Sequence, residues 1–171
     1  MIAALIVTFV FAAPLLIAAY TDFWSMKIPN LVSLAMAAGF LLTLPLTWQG
    51  LPFLTEHLLV GATFFLAGFA MFAFGWLGGG DAKLMAGIAL WLGWTDVLSF
   101  IFMTTLFGAI LGIFLIFGGR IMPVRLRTSE VGMRLFQGGK DMPYGLALAA
   151  GALFIWPTSQ IGSTLLGIAN M

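Results

Sequence analysis

Residues 78–83 read Gly78-Gly79-Gly80-Asp81-Ala82-Lys83, and this stretch separates two apolar runs, residues 58–77 and 82–94. An ionised side chain at bilayer depth costs roughly 2.5 to 3.5 kcal/mol even on the mildest scale, so membrane spans rarely carry one without a function. Successive glycines let the backbone leave helical geometry, which the hydrocarbon layer tolerates only beside protein or a water-filled cavity. The stretch therefore predicts a functional carboxylate, Asp81, at a break between two membrane helices, and Asp22 is its predicted partner.

The composition of the chain indicates an integral membrane protein. Of its 171 residues 62% are hydrophobic and 8% are charged, and the mean hydropathy of +1.12 lies far outside the soluble globular range. A spanning helix needs about 20 apolar residues, so this length allows about six helices joined by short loops. We therefore expect one polytopic membrane domain over residues 1–171, embedded in the lipid bilayer and without a soluble domain.

The inventory of reactive side chains excludes several kinds of site. The chain has no cysteine and a single histidine, His57, which excludes zinc thiolate sites, iron–sulfur clusters, a cysteine nucleophile and a histidine metal cluster. It also contains no Gly-x-Ser-x-Gly elbow, no His-Glu-x-x-His sequence and no phosphate-binding loop. We expect no metal, no cofactor and no nucleic-acid partner, for which the net charge of +1 gives no indication.

Apolar runs along the chain predict the membrane helices. They cover residues 2–19, 31–47, 58–77, 82–94, 97–117 and a last stretch from about 142 onward. None shows the alternating pattern of a membrane barrel, so the predicted fold class is all-α with six transmembrane helices. No Lys or Arg precedes the first run, which we therefore interpret as a retained helix and not as a cleaved signal peptide.

The basic residues predict the orientation of these helices. All seven fall in the first, third and fifth loops, namely Lys27, Lys83, Arg120, Arg125, Arg127, Arg134 and Lys140. Because cytoplasmic loops carry the excess of Lys and Arg, those three loops are predicted to be cytoplasmic and both termini to lie outside. Asp22 and Asp81 then share the cytoplasmic face, where we expect the active site.

The shortness of the fourth run predicts that Asp81 is recessed. Residues 82–94 span about 20 Å as a helix, whereas the hydrocarbon core is about 30 Å thick. If Trp91, Trp94 and Asp96 mark the outer interface, Asp81 lies inside the cytoplasmic edge of the bilayer. The alternative is a bilayer that is thinned at this helix.

The remaining loops are predicted to contact lipid head groups or solvent. The long loop, residues 119–141, mixes apolar and basic residues around residues 131–136, which predicts a short interfacial helix in contact with anionic lipid head groups. Glu56, His57 and Asp96 belong to the opposite side of the membrane, where we expect them to be solvated and without a role.

Asp22 and Asp81 together can perform acid–base hydrolysis without a cofactor. Like charges close together cannot both ionise cheaply, so such a pair holds one proton between them. One member then acts as base on a water, while the other donates a hydrogen bond or proton to the scissile carbonyl. Considered singly, Asp22 past the end of an apolar helix is typical of a solvated carboxylate or cap, and Lys83 of a snorkelling side chain.

Motifs along most of the chain resemble those of the type IV prepilin peptidases, which are GxGD-type intramembrane aspartic proteases. They are Asp22 followed by Lys27-Ile28-Pro29-Asn30, then Gly78-Gly79-Gly80-Asp81-Ala82-Lys83, then Met142-Pro143-Tyr144-Gly145 before the last helix. The resemblance implies a six-helix aspartic endopeptidase that removes the short basic leader of prepilins or pseudopilins at the cytoplasmic face of the inner membrane. Asp22 and Asp81 match the catalytic aspartates of that family.

The same resemblance implies further detail about the site and the subtype. Motif residues implied to position the aspartates are Gly78, Gly80, Lys83, Pro29 and Asn30. The chain lacks the cytoplasmic insertion with zinc-binding cysteines that long members carry and that is associated with N-methylation. It is therefore similar to the short Flp/Tad-type peptidases, without methyltransferase activity. Archaeal preflagellin peptidases share the same core, which leaves an archaeal substrate as an alternative. The resemblance does not indicate an oligomeric state.

Two other classes of function remain open from the residues. A proton- or ion-coupled carrier would use Asp22 and Asp81 as titrating sites, since broken helices and buried carboxylates are expected there too. Against a carrier, both aspartates lie near one face, and no internal repeat relates the two halves of the chain. A passive assembly subunit would instead pair the aspartates with Lys27 or Lys83 for structure.

Overall fold

The computed structural model of this chain describes residues 1–121, 123, 130–137 and 142–167. Its α-helices are α1 (Ile2–Ser25), α2 (Asn30–Thr47), α3 (Leu51–Ala73), α4 (Gly79–Ile121), α5 (Glu130–Gln137), α6 (Tyr144–Ile155) and α7 (Gln160–Leu166). A short 3₁₀ helix, Trp156–Thr158, joins α6 to α7. The described residues contain no β-strand. The predicted all-α fold is therefore confirmed.

Four of these helices are long and apolar enough to cross a membrane. They are α1, α2, α3 and the first 40 residues of α4, and α6 with α7 make a fifth candidate if that pair, bent by 48° at Ser159, is one span. The chain is therefore a multi-pass membrane protein. This count differs from the predicted six because residues 82–94 and 97–117 both fall within α4 and are counted there as one helix, although non-helical backbone at Gly93 interrupts it.

Helix α4 reverses direction at Gly93. This residue has φ 71° and ψ −177°, which is not helical, and it divides α4 into a first half, residues 79–92, and a second half, residues 94–121. Asp81 and Thr105 line the same cavity, although a straight helix would hold them about 36 Å apart. The two halves therefore run antiparallel to each other and are connected at Gly93.

An aromatic cluster forms the centre of the core. Phe11 of α1 stacks on Trp156 at 4.2 Å between ring centroids and lies 5.3 Å from Trp91 of α4. The indole N–H of Trp91 donates to the carbonyl of Met36 in α2, at 2.9 Å. Trp91 is fully buried, so the prediction that it marks the outer interface is wrong, whereas Trp94 is 47% exposed.

The start of α3 contradicts another expectation. Helix α3 begins at Leu51, well before the predicted residue 58, and therefore carries His57 into the bundle. His57 is 0% exposed, and its Nδ1 lies 2.8 Å from the carbonyl oxygen of Leu90. The expectation that His57 is solvated is therefore wrong.

The two acidic neighbours of His57 have structural partners too. An oxygen of Glu56 accepts a hydrogen bond from the N–H of Trp94 at 3.2 Å, directly after the reversal at Gly93. An oxygen of Asp96 accepts one from the N–H of Gln160 at 2.8 Å and so anchors the start of α7. Both carboxylates are half-buried. These residues fasten the end of the bundle that carries the α4 reversal.

The predicted helix in the long loop is present as α5. Leu135 of this helix is buried, Met133 is exposed, and the ring of Phe136 lies 6.1 Å from that of Phe114 in α4. Residues 122, 124–129 and 138–141 lie outside the described residues. The basic side chains predicted to contact lipid head groups lie outside the description as well, namely Arg120, Arg125, Arg127, Arg134 and Lys140.

Candidate active site

Three helix ends bring Asp22 and Asp81 together. Asp22 lies in the last turn of α1, and Asp81 lies in the first turn of α4. Both line the same two cavities, and they are close enough to interact electrostatically. Asp22 is 6% exposed, and Asp81 is half-buried. The pairing of these two carboxylates that the sequence suggests is thus the arrangement found.

The third helix end supplies a hydrogen bond to Asp22. The N–H of Gly145, at the start of α6, donates to Oδ2 of Asp22 at 2.7 Å. The first N–H groups of a helix have no partner within it and favour an anion, so this geometry stabilises an ionised Asp22. A Cβ atom at position 145 would lie 2.9 Å from the same oxygen, which explains why glycine stands there.

Gly145 is the functional contact that reasoning from the residues missed. The stretch Met142-Pro143-Tyr144-Gly145 is one of the motifs that resemble the peptidase family, but its residue types alone predict no role for Gly145. Pro143 as the N-terminal cap of α6 is the signal that could have found it, because proline at a helix start precedes unpaired N–H groups.

The glycines before Asp81 provide space at the site. Gly79 and Gly80 already belong to the first turn of α4, and neither has a positive φ. A Cβ atom at Gly78 would lie 2.6 Å from Oδ2 of Asp81, and one at Gly80 would lie 3.0 Å from Cβ of Ile28. The prediction of irregular backbone through this run therefore holds only up to Gly78, and close packing accounts for Gly80.

The connection between α1 and α2 forms one wall of the site. Met26 follows α1 in the left-handed conformation, with φ 53° and ψ 34°, which is uncommon for a residue with a side chain. Pro29 precedes the first residue of α2. Between them, the side chain of Ile28 lies against both Gly80 and Gly145. Ile28 therefore packs between Gly80, which precedes Asp81 in the chain, and Gly145, whose N–H binds Asp22.

Lys83 and Asn30 lie beside the aspartates and connect two helices. Nζ of Lys83 donates to Oδ1 of Asn30 at 2.8 Å, which links the first turn of α4 to the first residue of α2. Asn30 lines one of the two cavities at the aspartates, but Lys83 lines neither. The geometry thus gives Lys83 a link to α2 and no contact with the space between the carboxylates.

Two cavities of unequal character meet at the aspartates. The larger, of about 890 Å³, lies among α3, both halves of α4 and the start of α6, with a mainly apolar lining. The smaller, of about 550 Å³, lies between residues 21–30 and residues 78–81. Residues common to both linings are Asp22, Met26, Gly78 and Asp81.

The arrangement of Asp22 and Asp81 permits acid–base chemistry on a bound peptide. Asp22 accepts a backbone hydrogen bond, whereas Oδ1 of Asp81 is buried without a hydrogen-bond partner among the described residues. Two carboxylates in unlike surroundings can divide the roles of base and acid. Within the described part of the chain no group of three or more His, Asp or Glu side chains is placed to hold a metal ion.

Comparison with known proteins identifies the family. No curated protein and no solved structure matched the chain. A family model described as the type IV leader peptidase family matched residues 9–113, which is more than half of the chain and includes both aspartates. The chain therefore belongs to the type IV leader peptidase family and is a multi-pass membrane protease of that kind.

Proposed function

We propose that this protein is an aspartic endopeptidase that removes the basic leader from Flp-type or other type IV prepilins and pseudopilins. The observation that carries the proposal is the position of Asp22 and Asp81, on different helices, at the junction of two cavities of which the smaller has the more polar lining. A leader peptide that ends at an apolar helix presents the same change of polarity at its cleavage site. Membership of the leader peptidase family supports this substrate class.

In each step of the proposed mechanism, one aspartate gains a proton and the other loses one. Asp22, held by the N–H of Gly145, acts as base and takes a proton from a water that attacks the scissile carbonyl carbon. Protonated Asp81 gives its proton to the carbonyl oxygen, which forms a neutral tetrahedral diol. Collapse of the diol returns a proton from the diol to Asp81, breaks the C–N bond and transfers the proton of Asp22 to the leaving amine. Both residues regain their starting states.

The neighbouring motif residues position this pair in our proposal. Gly78 and Gly80 leave room for the carboxylate of Asp81 and for Ile28. Pro29 ends the connection that forms one wall of the site, and Lys83 with Asn30 ties α4 to α2 just beyond Asp81. These residues contact the elements that carry the aspartates and not the reacting atoms.

We further propose six spans, with the site at the cytoplasmic face of the inner membrane and both termini outside. Each half of α4 counts as one span because the chain reverses at Gly93, and α6 with α7 makes the last. Exposed Trp24 and Trp76 lie at the end that holds the aspartates, and exposed Trp48 and Trp94 lie at the other. Tryptophan is enriched at both membrane interfaces, so these two pairs support the assigned bilayer position.

Co-expression with an Flp-type prepilin tests the function. The N-terminus of the pilin is determined by mass spectrometry in cells with the wild type, Asp22→Asn, Asp81→Asn or the control Asp96→Asn, an aspartate at the opposite end of the bundle. We expect leader removal by the wild type and Asp96→Asn only. Leader removal that survives both other substitutions would reject the protease assignment and direct attention to pH-dependent transport.

A further inference from the structure

The two cavities at the aspartates differ in what they can accommodate, and this difference assigns a direction to the substrate. The smaller cavity has the more polar lining of the two and is called the polar cavity below, and the larger one is called the apolar cavity. We propose that the polar cavity takes the leader residues before the scissile bond, and that the apolar cavity takes the first apolar residues after it. This inference rests on the proposed function, because it assumes a peptide that is cut between a polar and an apolar segment. It adds the path of that peptide through the protein.

The lining of the polar cavity fits an extended polar peptide. Thr21, Ser25 and Lys27 line it on one side, and the backbone of Gly78, Gly79 and Gly80 lines it on the other. Residues 26–29 and Gly78 lie outside the helices, and the N–H of Met26 and the carbonyls of Pro29 and Gly78 bond to the adjoining helix ends. Among the described residues, the N–H groups of Lys27 and Ile28 have no backbone partner. Extended peptides are commonly bound through main-chain groups of this kind.

The lining of the apolar cavity fits aliphatic side chains of varied shape. Met71, Met85 and Met142 line it together with Phe64, Phe100 and Ile101. Methionine side chains are flexible and polarizable, so they adapt to different apolar partners. This suits a peptidase that acts on several precursors whose apolar segments differ.

The size of the apolar cavity limits how much of the substrate enters. Its volume of about 890 Å³ lies near the upper end of the range for small-ligand pockets, about 300 to 1,000 Å³. A short peptide segment fits in such a space, whereas a complete membrane helix does not. Only the first residues after the scissile bond therefore enter the cavity, and the rest of the apolar helix remains in lipid.

The position of Met26 marks the boundary between the two segments. It lines both cavities together with the aspartates, and its left-handed backbone turns the chain away from α1 at this point. A peptide that passes from one cavity to the other must cross between Met26 and Gly78. The scissile bond then lies at that crossing, next to both carboxylates.

Photo-crosslinking tests the direction. A photoreactive phenylalanine analogue is placed at Ile101 in the apolar cavity or at Ser25 in the polar one, each in the inactive Asp81→Asn protein with uncleaved Flp-type prepilin in membranes. Matched controls carry the analogue at Phe102 or Trp24, which are neighbours in sequence that line neither cavity. We expect position 101 to capture residues after the scissile bond and position 25 to capture leader residues, as mapped by mass spectrometry.

Opposite or equal capture would overturn the proposal. If position 101 captures the leader, the direction is reversed, and if Phe102 captures the apolar segment as well as position 101 does, that segment lies on the lipid-facing surface instead. Leader removal by the wild type with the same prepilin is measured in parallel. Normal cleavage with the wrong crosslinks rejects this inference alone, whereas absence of cleavage rejects the function itself.

A cavity-filling substitution gives a second readout that does not depend on crosslinking yield. Ile101→Trp reduces the apolar cavity, and Phe102→Trp places the same side chain at the neighbouring position, which is 65% exposed and does not line the cavity. We expect Ile101→Trp to lower kcat/KM for the prepilin by about tenfold or more, since small changes in an apolar pocket have effects of this size. Equal kcat/KM for both variants, with equal thermal stability, would contradict occupation of the cavity.

Discussion

At the level of single residues, Asp22 and Asp81 have unequal surroundings, which would let two like groups take the different roles of the proposed mechanism. A backbone N–H from Gly145 reaches Asp22, while Oδ1 of Asp81 is buried without such a contact among the described residues. Hydrogen bonding to a carboxylate favours its charged form, and burial without partners favours the neutral one. The geometry therefore supports Asp22 as base and Asp81 as acid.

Adding one methyl group at Gly145 tests this contact. In Gly145→Ala the Cβ atom meets the carboxylate of Asp22 at 2.9 Å and must displace it. We expect cleavage to fall about a hundredfold, which is typical when a catalytic group moves by about 1 Å. Gly112→Ala is the control, because among the described residues its Cβ atom would meet just the sulfur of Met142, at 3.8 Å. Equal cleavage rates for the two variants would show that Gly145 does not hold Asp22.

The link between Lys83 and Asn30 provides another test at this scale. Removing either side chain should lower stability by about 1 kcal/mol and cleavage severalfold, because one hydrogen bond between α4 and α2 is lost. The double variant should be no worse than the single ones, since both remove the same bond. Cleavage by purified Lys83→Ala, Asn30→Ala and the double variant measures this. Complete inactivity of Lys83→Ala beside an active Asn30→Ala would instead indicate a direct chemical role for Lys83.

Residue types and spacing predicted the pairing of the aspartates, but not the reasons for the residues around them. The glycine run suggested a flexible break, whereas Gly80 is needed because Ile28 packs against it. The contact from Gly145 joins positions 123 residues apart. Contacts over such distances depend on how helices pack, and no local pattern in one sequence reports them.

At the scale of helices, the reversal of α4 at Gly93 determines the shape of the site. It lets the first half of α4 present Asp81 while the second half returns to line the apolar cavity. The buried His57 packs at this turn, and Glu56 accepts a hydrogen bond from the N–H of Trp94. Polar groups therefore satisfy the backbone where the helix is interrupted.

Gly93→Ala should loosen this turn. A residue with a side chain at φ 71° is strained, and its Cβ atom would lie 3.1 Å from Nε2 of His57. Backbone with φ 71° and ψ −177° is essentially restricted to glycine and costs another residue roughly 1 to 3 kcal/mol, so we expect a lower Tm in detergent and reduced cleavage, with Gly112→Ala unchanged. An unaltered Tm for Gly93→Ala would mean that the reversal does not require this conformation.

Helix boundaries show where hydropathy misleads. Glu56 and His57 lower the hydropathy of their segment, so the sequence suggested that α3 begins at residue 58. The helix begins at Leu51 instead, with Pro52 in its first turn, and proline at that position is a common sign of a helix start. Similarly, tryptophan is a residue type typical of the membrane interface, but the indole N–H of Trp91 donates to a backbone carbonyl inside the core.

For the whole molecule, the location of the proposed active site depends on which side of the membrane each helix end faces. All described basic side chains, Lys27 and Lys83, lie at the end that carries the aspartates, near the two cavities. The opposite end carries Gln49, Glu56 and Asp96. This asymmetry supports a cytoplasmic active site by the positive-inside rule.

Cysteine labelling tests that orientation in a chain that has no native cysteine. Lys27→Cys and Gln49→Cys are each exposed to a membrane-impermeant maleimide in intact spheroplasts and again after permeabilisation. We expect Gln49→Cys to react in both conditions and Lys27→Cys to react only after permeabilisation. Immediate labelling of Lys27→Cys, with none of Gln49→Cys, would place the site on the outer face.

In the proposed function, Asp22 and Asp81 act as a single catalytic pair. Single-turnover cleavage of the prepilin by the reconstituted wild type, Asp22→Asn, Asp81→Asn and the double variant measures this directly. Residues that act as a unit are strongly non-additive, so each single variant should lose about a thousandfold or more, and the double variant should lose no more than the worse single one. Losses that multiply in the double variant, or an Asp81→Asn protein close to the wild type, would contradict the account.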